Sequence, residues 1–190
     1  MTSSLGSRYF EGLYAGDPDP WGYASSAYEA AKYAATCDAL PPVTFRRGFE
    51  IGCSFGVLSR AIATRCETLL AVDLVQVVLD RARQDAGDHA NIIFERMEIP
   101  RDWPAGEFDL IVLSEMLYYL SPSDLERTAA LAGHALSADG VVVLVNWLGD
   151  TGVPQSGDGA AEAFIRAMRP GVSPVLQSRA PQYRLDMLAR

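Results

Sequence analysis

The chain carries only two histidines, His89 and His134, and three cysteines, Cys37, Cys53 and Cys66. Thiols so few, odd in number, widely spaced and without a histidine cluster argue against a disulfide framework and against a zinc site, and they fit a reducing cytoplasm. Basic residues are also short: 16 Lys and Arg face 24 Asp and Glu, a formal net charge of -8. That is the wrong sign for a phosphate-backbone footprint, so no nucleic-acid partner is expected and a small-molecule partner is favoured. No apolar run approaches the ~18–20 residues needed to span a bilayer, and the first ten residues have neither the basic start nor the apolar core of an export signal. The expectation is a cytoplasmic protein with no membrane partner and no bound metal. What is present is ordinary for a folded domain: 190 residues, 49% hydrophobic and 21% charged, enough to bury one core. A single domain is expected over 1–190, with 1–42 forming an N-terminal lid and helix and 43–190 the core.

Residues Ser7 to Gly22 mix Arg8, Tyr9, Phe10, Tyr14 and Trp21 with Gly16, Pro18 and Pro20. A segment with apolar area to bury and rigid bends to place it reads as a lid rather than a disordered tail. Ser26 and Glu29 have the spacing of a capping box, and a helix is expected from about Ala27 to Ala39, ended by Pro41-Pro42. On it Tyr28 and Lys32 share one face, while Glu29 and Lys32 have the spacing of a surface ion pair. From Phe45 the chain alternates. Strands are expected near Phe45–Ile51, Thr68–Val72, Asn91–Arg96, Phe108–Ser114 and Gly140–Trp147, and helices near Val57–Arg65, Val75–Ala86 and Asp124–Leu136. The last of these is capped by Ser121 before Pro122 or by Ser123 with Glu126. Leu110–Leu113 and Val141–Val145 are continuous apolar runs, as strands covered on both faces require. The pattern predicts a doubly wound α/β sheet. Beyond the loosened stretch of Gly149, Gly152, Pro154, Gly157 and Gly159, a helix at Ala160–Met168 precedes strands at Val172–Gln177 and Tyr183–Leu188. So short a link makes them an antiparallel hairpin.

In such a sheet, ligands bind beyond the carboxyl ends of the strands where strand order reverses. The strand ends collect Glu50, Gly52, Cys53, Ser54 and Gly56, then Asp73 with Leu74, Met97 with Glu98, and Ser114 with Glu115. Asp73 follows Gly56 at the distance where a carboxylate accepts both hydroxyls of an adenosine ribose. The glycine loop lacks the third glycine of a dinucleotide fingerprint and the lysine of a phosphate loop, and position 57 is valine. With acidic Glu50 beside the loop and no cation opposite, a pyrophosphate is poorly held. A cofactor with a ribose and no phosphate fits better, and a nicotinamide oxidoreductase is disfavoured.

Glu50-x-Gly52-x-x-x-Gly56, Asp73 closing the second strand, and Phe108-Asp109-Leu110-Ile111 leading the fourth resemble the class I S-adenosylmethionine-dependent methyltransferases. Asp19-Pro20-Trp21, Ser26-x-Tyr28-Glu29-x-x-Lys32-Tyr33 and Leu113-Ser114-Glu115-x-Leu117-Tyr118-Tyr119-Leu120 resemble, more narrowly, the nodulation-protein-S type of N-methyltransferases. The resemblance implies a seven-stranded, mostly parallel Rossmann-like sheet with a C-terminal antiparallel hairpin, an N-terminal helical lid and S-adenosyl-L-methionine as cofactor. The implied acceptor is a small molecule, the amine of an amino sugar or oligosaccharide. It further implies that Asp73 binds the ribose, that Met97 and Glu98 flank the adenine, that backbone groups at Gly52 and Ser114 hold the methionine end, and that Glu50, Cys53, Ser54, Gly56 and Leu74 also belong to the cofactor site. Trp21, Tyr28 and Lys32 come from the lid, with Lys32 facing the cofactor carboxylate. Ser54 stands where many members have glycine. Glu115, Tyr118 and Tyr119 are the candidate catalytic residues. An amine needs only to arrive neutral, whereas a hydroxyl wants a base, usually histidine. With no histidine at a strand end, N-methylation is favoured; O-methylation of a small metabolite and cofactor binding without catalysis are the alternatives.

Overall fold

The computed structural model describes residues 3–153 and 155–190, so that Met1, Thr2 and Pro154 lie outside the described residues. Helices α1 (Ser7–Gly16) and α2 (Ala27–Ala39) precede β1 (Phe45–Ile51), α3 (Val57–Ala63), β2 (Cys66–Asp73), α4 (Gln76–Asp85), β3 (Ile92–Arg96) and β4 (Phe108–Ser114). There follow α5 (Pro122–Ala135), β5 (Leu136–Trp147), α6 (Gly157–Met168), β6 (Ser173–Arg179) and β7 (Tyr183–Ala189). The strands form one seven-stranded sheet in the order β3-β2-β1-β4-β5-β7-β6. All neighbours run parallel except those of β7, which is antiparallel to both β5 and β6. Strand order reverses between β1 and β4, so their carboxyl ends open the crevice that a doubly wound sheet offers a ligand.

Packing explains the two-sided apolar strands. Leu110, Ile111, Val112 and Leu113 of β4 are all completely buried. Ile111 and Leu113 face Leu125, Ala129 and Ala132 of α5 and Phe164 of α6. Leu110 and Val112 face Leu58 and Ile62 of α3 and Leu79 of α4. Among the described residues no helix is long and apolar enough to cross a membrane.

Local differences from the sequence reading have identifiable causes. Helix α2 is not a surface helix, because Glu29 and Lys32 are buried; its capping box is half formed. Ser26 Oγ accepts the Glu29 amide at 3.4 Å, but the Glu29 carboxylate pairs with Lys32 and does not reach back. The start of α5 is settled by Ser121, whose Oγ accepts the Asp124 amide at 3.2 Å with Pro122 in the first turn. Helix α6 begins three residues before the expected Ala160, capped by Ser156, and Gly157 in its first turn is there for space. A Cβ at Gly157 would lie 2.0 Å from the Trp147 carbonyl oxygen, so only glycine lets α6 abut the end of β5.

Candidate functional site

The turn after β1 holds three residues in the left-handed region, Gly52 (φ +81°), Ser54 (φ +49°) and Gly56 (φ +77°). Ser54 thus adopts the backbone that a glycine would take there without strain. The amides of Gly52 and Cys53 both donate to the Val72 carbonyl, at 2.8 and 3.0 Å. Asp73 completes the clasp: Oδ2 accepts the Ser54 amide at 3.0 Å and Oδ1 accepts the Val75 amide at 2.9 Å. Gly56 stands back from the three clefts at the strand ends; it packs on Phe94, where a Cβ would come within 3.0 Å.

Burial pushes the Asp73 carboxyl up to about 6, against the pull of the Val75, Ser54 and Leu74 amides. Burial likewise pushes Glu50 up to about 7, eased by the Ser59 hydroxyl and raised further by Asp73. Both groups hold a proton more tightly folded than unfolded. Their stabilising contribution is therefore full below their unfolded values and is lost as pH rises toward the folded ones, between about pH 4 and 7. Glu50→Gln is expected to remove the upper part of that decline, up to about 3 kcal/mol, leaving a flatter profile in denaturant melts from pH 4.5 to 8. A wild-type profile that rises across this range would contradict it.

Three adjoining clefts open at the strand ends. The smallest, about 330 Å³, lies between Glu50, Gly52, Cys53, Ser54, Ser114 and Glu115 on one side and Tyr23 and Tyr33 on the other. A second, about 740 Å³, is lined by Asp73, Leu74, Met97, Glu98, Ile99 and Met116, with Leu5 and Phe10 over it. The third, about 720 Å³, collects Trp21, Tyr28, Glu29, Lys32, Glu115, Tyr118, Tyr119, Trp147 and Asp150. Gly52 belongs to the first and second, Glu115 to the first and third, and Tyr119 to the second and third. The residues singled out in the sequence therefore meet, but in two groups: Trp21, Tyr28 and Lys32 line the aromatic cleft and not the one beside Asp73. Neither histidine lines these three clefts; the His134 ring is exposed, with Nδ1 2.7 Å from the Ala130 carbonyl oxygen.

Glu115 is the hinge of this arrangement. It is a non-glycine residue at φ +57°, a backbone retained only where surroundings over-determine it. Its Oε1 accepts from Lys32 Nζ at 2.6 Å, and its Oε2 from the Tyr118 hydroxyl at 2.9 Å and the Trp147 amide at 2.8 Å. Burial, followed by the nearby Glu115 charge, pushes the Tyr118 hydroxyl well up, and burial takes Tyr119 to about 12. Both stay neutral phenols at pH 7, hydrogen-bond donors and not bases.

The N-terminal segment is tied down beside the first and second clefts. The Leu5 amide donates to the Tyr119 carbonyl at 3.0 Å, and Ser4 Oγ accepts the Ser121 amide at 2.8 Å. Phe10 meets Tyr119 edge-on with centroids 5.0 Å apart, and the Tyr14 hydroxyl lies 2.7 Å from Ser54 Oγ. Phe10, Tyr14, Tyr23, Tyr33 and Asp150 were not among the candidates. Tyr33 stood within the quoted motif, and the rest were signalled only by the aromatic density of the segment and the loosened loop after Trp147.

The profile of the nodulation protein S (NodS) family matches residues 13–146. Nodulation protein S of Bradyrhizobium diazoefficiens is 34% identical over 107 residues, covering 54% of this chain and 49% of that protein. The chain thus spans about half the length of the curated relatives it matches. A solved structure from Pseudomonas syringae is 33% identical, with 87% of this chain and 100% of that chain covered and a TM-score of 0.75. The N-methyltransferase NodS of Bradyrhizobium japonicum, solved with S-adenosyl-L-homocysteine, is 22% identical with 96% of each chain covered and a TM-score of 0.81, a likeness of fold. With the matched profile running from within α1 to the end of β5, the chain belongs to the NodS family.

Proposed function

We propose that the protein is an S-adenosylmethionine-dependent methyltransferase acting on the amine of a small molecule, an amino sugar or oligosaccharide. The observation that carries this reading is Glu115, which lines both the glycine-loop cleft and the aromatic cleft and so stands where a donor on one side meets an acceptor on the other. The residues suit the cofactor. A cleft with a carboxylate at Asp73 and apolar walls at Leu74, Met97 and Ile99 suits an adenosine, and it meets the glycine-loop cleft at Gly52. There a Cβ would already lie 3.2 Å from Met116. On this reading Asp73 takes the ribose, Met97 and Glu98 the adenine, and the 52–54 backbone with Ser114 the methionine end. Residues 1–42 act as the lid, with Phe10 and Tyr14 closing the cofactor side.

The aromatic cleft is the acceptor side. It carries three carboxylates, Glu29, Glu115 and Asp150, against the single cation Lys32, a balance that draws an ammonium. Its rings at Trp21, Tyr28 and Trp147 suit the apolar face of a sugar or the cation itself. When bound, the cofactor supplies a methyl group already activated on a sulfonium sulfur. The acceptor gives up its ammonium proton to solvent on entry; the freed lone pair forms the new N–C bond as the C–S bond breaks with its electron pair left on sulfur, and the product leaves as the methylammonium. What the chain contributes is alignment and exclusion of water.

The experiment is transfer of labelled methyl to deacetylated chitooligosaccharides, alongside calorimetric titration with S-adenosyl-L-homocysteine. Saturable binding with label on nitrogen, and none on fully acetylated oligosaccharides, is the expected result. Label on hydroxyls alone turns the reading to O-methylation; absence of binding removes it.

A further inference from the structure

Lys32 is a cation buried to 1% exposure between Glu29 and Thr36 on the buried face of α2, and its charge is already matched. Nζ lies 2.6 Å from Glu115 Oε1 and 2.9 Å from the Glu29 carboxylate. It also lies 5.4 Å from the centroid of the Tyr28 ring and 6.0 Å from that of Tyr33. Two carboxylates around one ammonium leave no net positive charge with which to hold the carboxylate of a ligand. Nor does Lys32 line either cleft assigned to the cofactor.

We infer that Lys32 is a positioning residue for the acceptor, acting through Glu115, and not a ligand of the cofactor; this rests on the methyltransferase reading above. Glu115 sits at φ +57°, so its backbone does not hold the side chain in place by ordinary preference. Three donors from separate elements do: Lys32 of α2, the Tyr118 hydroxyl in the turn after β4, and the Trp147 amide at the end of β5. Of these only Lys32 brings charge. It fixes a carboxylate at the junction of the clefts, where the carboxylate receives an N–H of the incoming amine and turns the lone pair toward the glycine-loop side. Without Lys32 the cofactor clefts are intact, but the acceptor nitrogen has no fixed anion to orient it.

The test compares Lys32→Arg, Lys32→Met, Glu115→Gln and the double variant Lys32→Met/Glu115→Gln. S-adenosyl-L-homocysteine affinity is read by calorimetry and methyl transfer to deacetylated chitooligosaccharides by steady-state kinetics. Cofactor affinity is expected to stay within threefold in Lys32→Arg and Lys32→Met, since Lys32 lines neither cofactor cleft. Lys32→Met and Glu115→Gln should each lose about 100-fold in kcat/KM. The double variant should be no more than threefold worse than the poorer single variant, because both changes remove one unit. Lys32→Arg should keep activity within tenfold. A tenfold or larger loss of cofactor affinity in Lys32→Arg, or losses that multiply in the double variant, overturns the inference. Should Lys32→Met fail to fold, Lys32→Arg decides it by cofactor affinity and Glu115→Gln by methyl transfer. Wild-type protein that binds the homocysteine product yet transfers to no amine sinks the acceptor reading and this inference together. That outcome is distinct from one in which only the Lys32 split fails.

Discussion

Arg184→Met is expected to lower the melting temperature by roughly 6–20 °C, from a loss of about 3–5 kcal/mol. Arg184 is 2% exposed on β7 and Asp186, two residues along on the same face, is 1% exposed. The guanidinium grips the Asp186 carboxylate with both prongs, Nε to Oδ2 and Nη2 to Oδ1 at 2.8 Å each. Its Nη1 reaches Glu162 Oε1 at 2.8 Å and Asp158 on α6. Among the described residues, removing the arginine leaves Asp186 buried with only Gln177 Nε2 as a side-chain donor, at 2.8 Å. An uncompensated buried charge is what makes such a deletion expensive. Asp158 and Glu162 matter far less, since their side chains are 44% and 55% exposed and solvent screens them. The double variant Arg184→Met/Asp186→Leu is therefore expected to regain most of the loss in thermal unfolding. A single variant that melts within about 2 °C of wild type would show that water reaches Asp186 and that the hairpin does not depend on the pair.

Much of the architecture was legible because one physical signal, the period of the apolar residues, is local. The runs Leu110–Leu113 and Val141–Val145 announced strands covered on both faces. The short link before Tyr183 required the antiparallel β6 and β7 that the sheet contains. Helix α1 was not foreseen as a helix. Its ten residues SRYFEGLYAG include two glycines and two tyrosines, poor helix formers, and it is held by Phe10 packing near Phe55, Val75 and Val78. Tertiary contact overrode propensity there.

The site divides in the same way. Gly52, Asp73 and Glu115 are strand-end residues, so topology alone placed them together. The Glu29–Lys32 spacing, by contrast, reads identically on a surface and in an interior. Nothing near it in sequence announces Glu115, 83 positions away, and this partner takes the lysine from the expected cofactor side to the aromatic cleft. The same limit hid Tyr23, whose hydroxyl burial pushes well up; its place against the loop depends on how the segment before α2 folds back.

Asp73→Ala is expected to weaken S-adenosyl-L-homocysteine binding by at least 100-fold and to abolish the thermal shift that this ligand gives wild-type protein. A carboxylate accepting two ribose hydroxyls contributes two charge-assisted hydrogen bonds at about 1.5–3 kcal/mol each. About 2.8 kcal/mol is already 100-fold. The same oxygens hold the Ser54 and Val75 amides in the present structure, so the substitution also releases the loop at Ser54, a residue in the left-handed region. Stability and affinity separate these roles. Asp73 is a buried carboxyl pushed up to about 6 and hence mostly ionised at pH 7 at a desolvation cost. Its removal should leave the unliganded melting temperature within a few degrees while affinity collapses. Asp73→Asn keeps the shape and one acceptor oxygen but loses the charge, and belongs between the two, at roughly tenfold. If Asp73→Ala instead melts far earlier yet binds the ligand undiminished where still folded, Asp73 serves only to clasp the loop. The ribose must then find its acceptor elsewhere along the second cleft, where Glu98 and Asp124 are the other carboxylates in the lining.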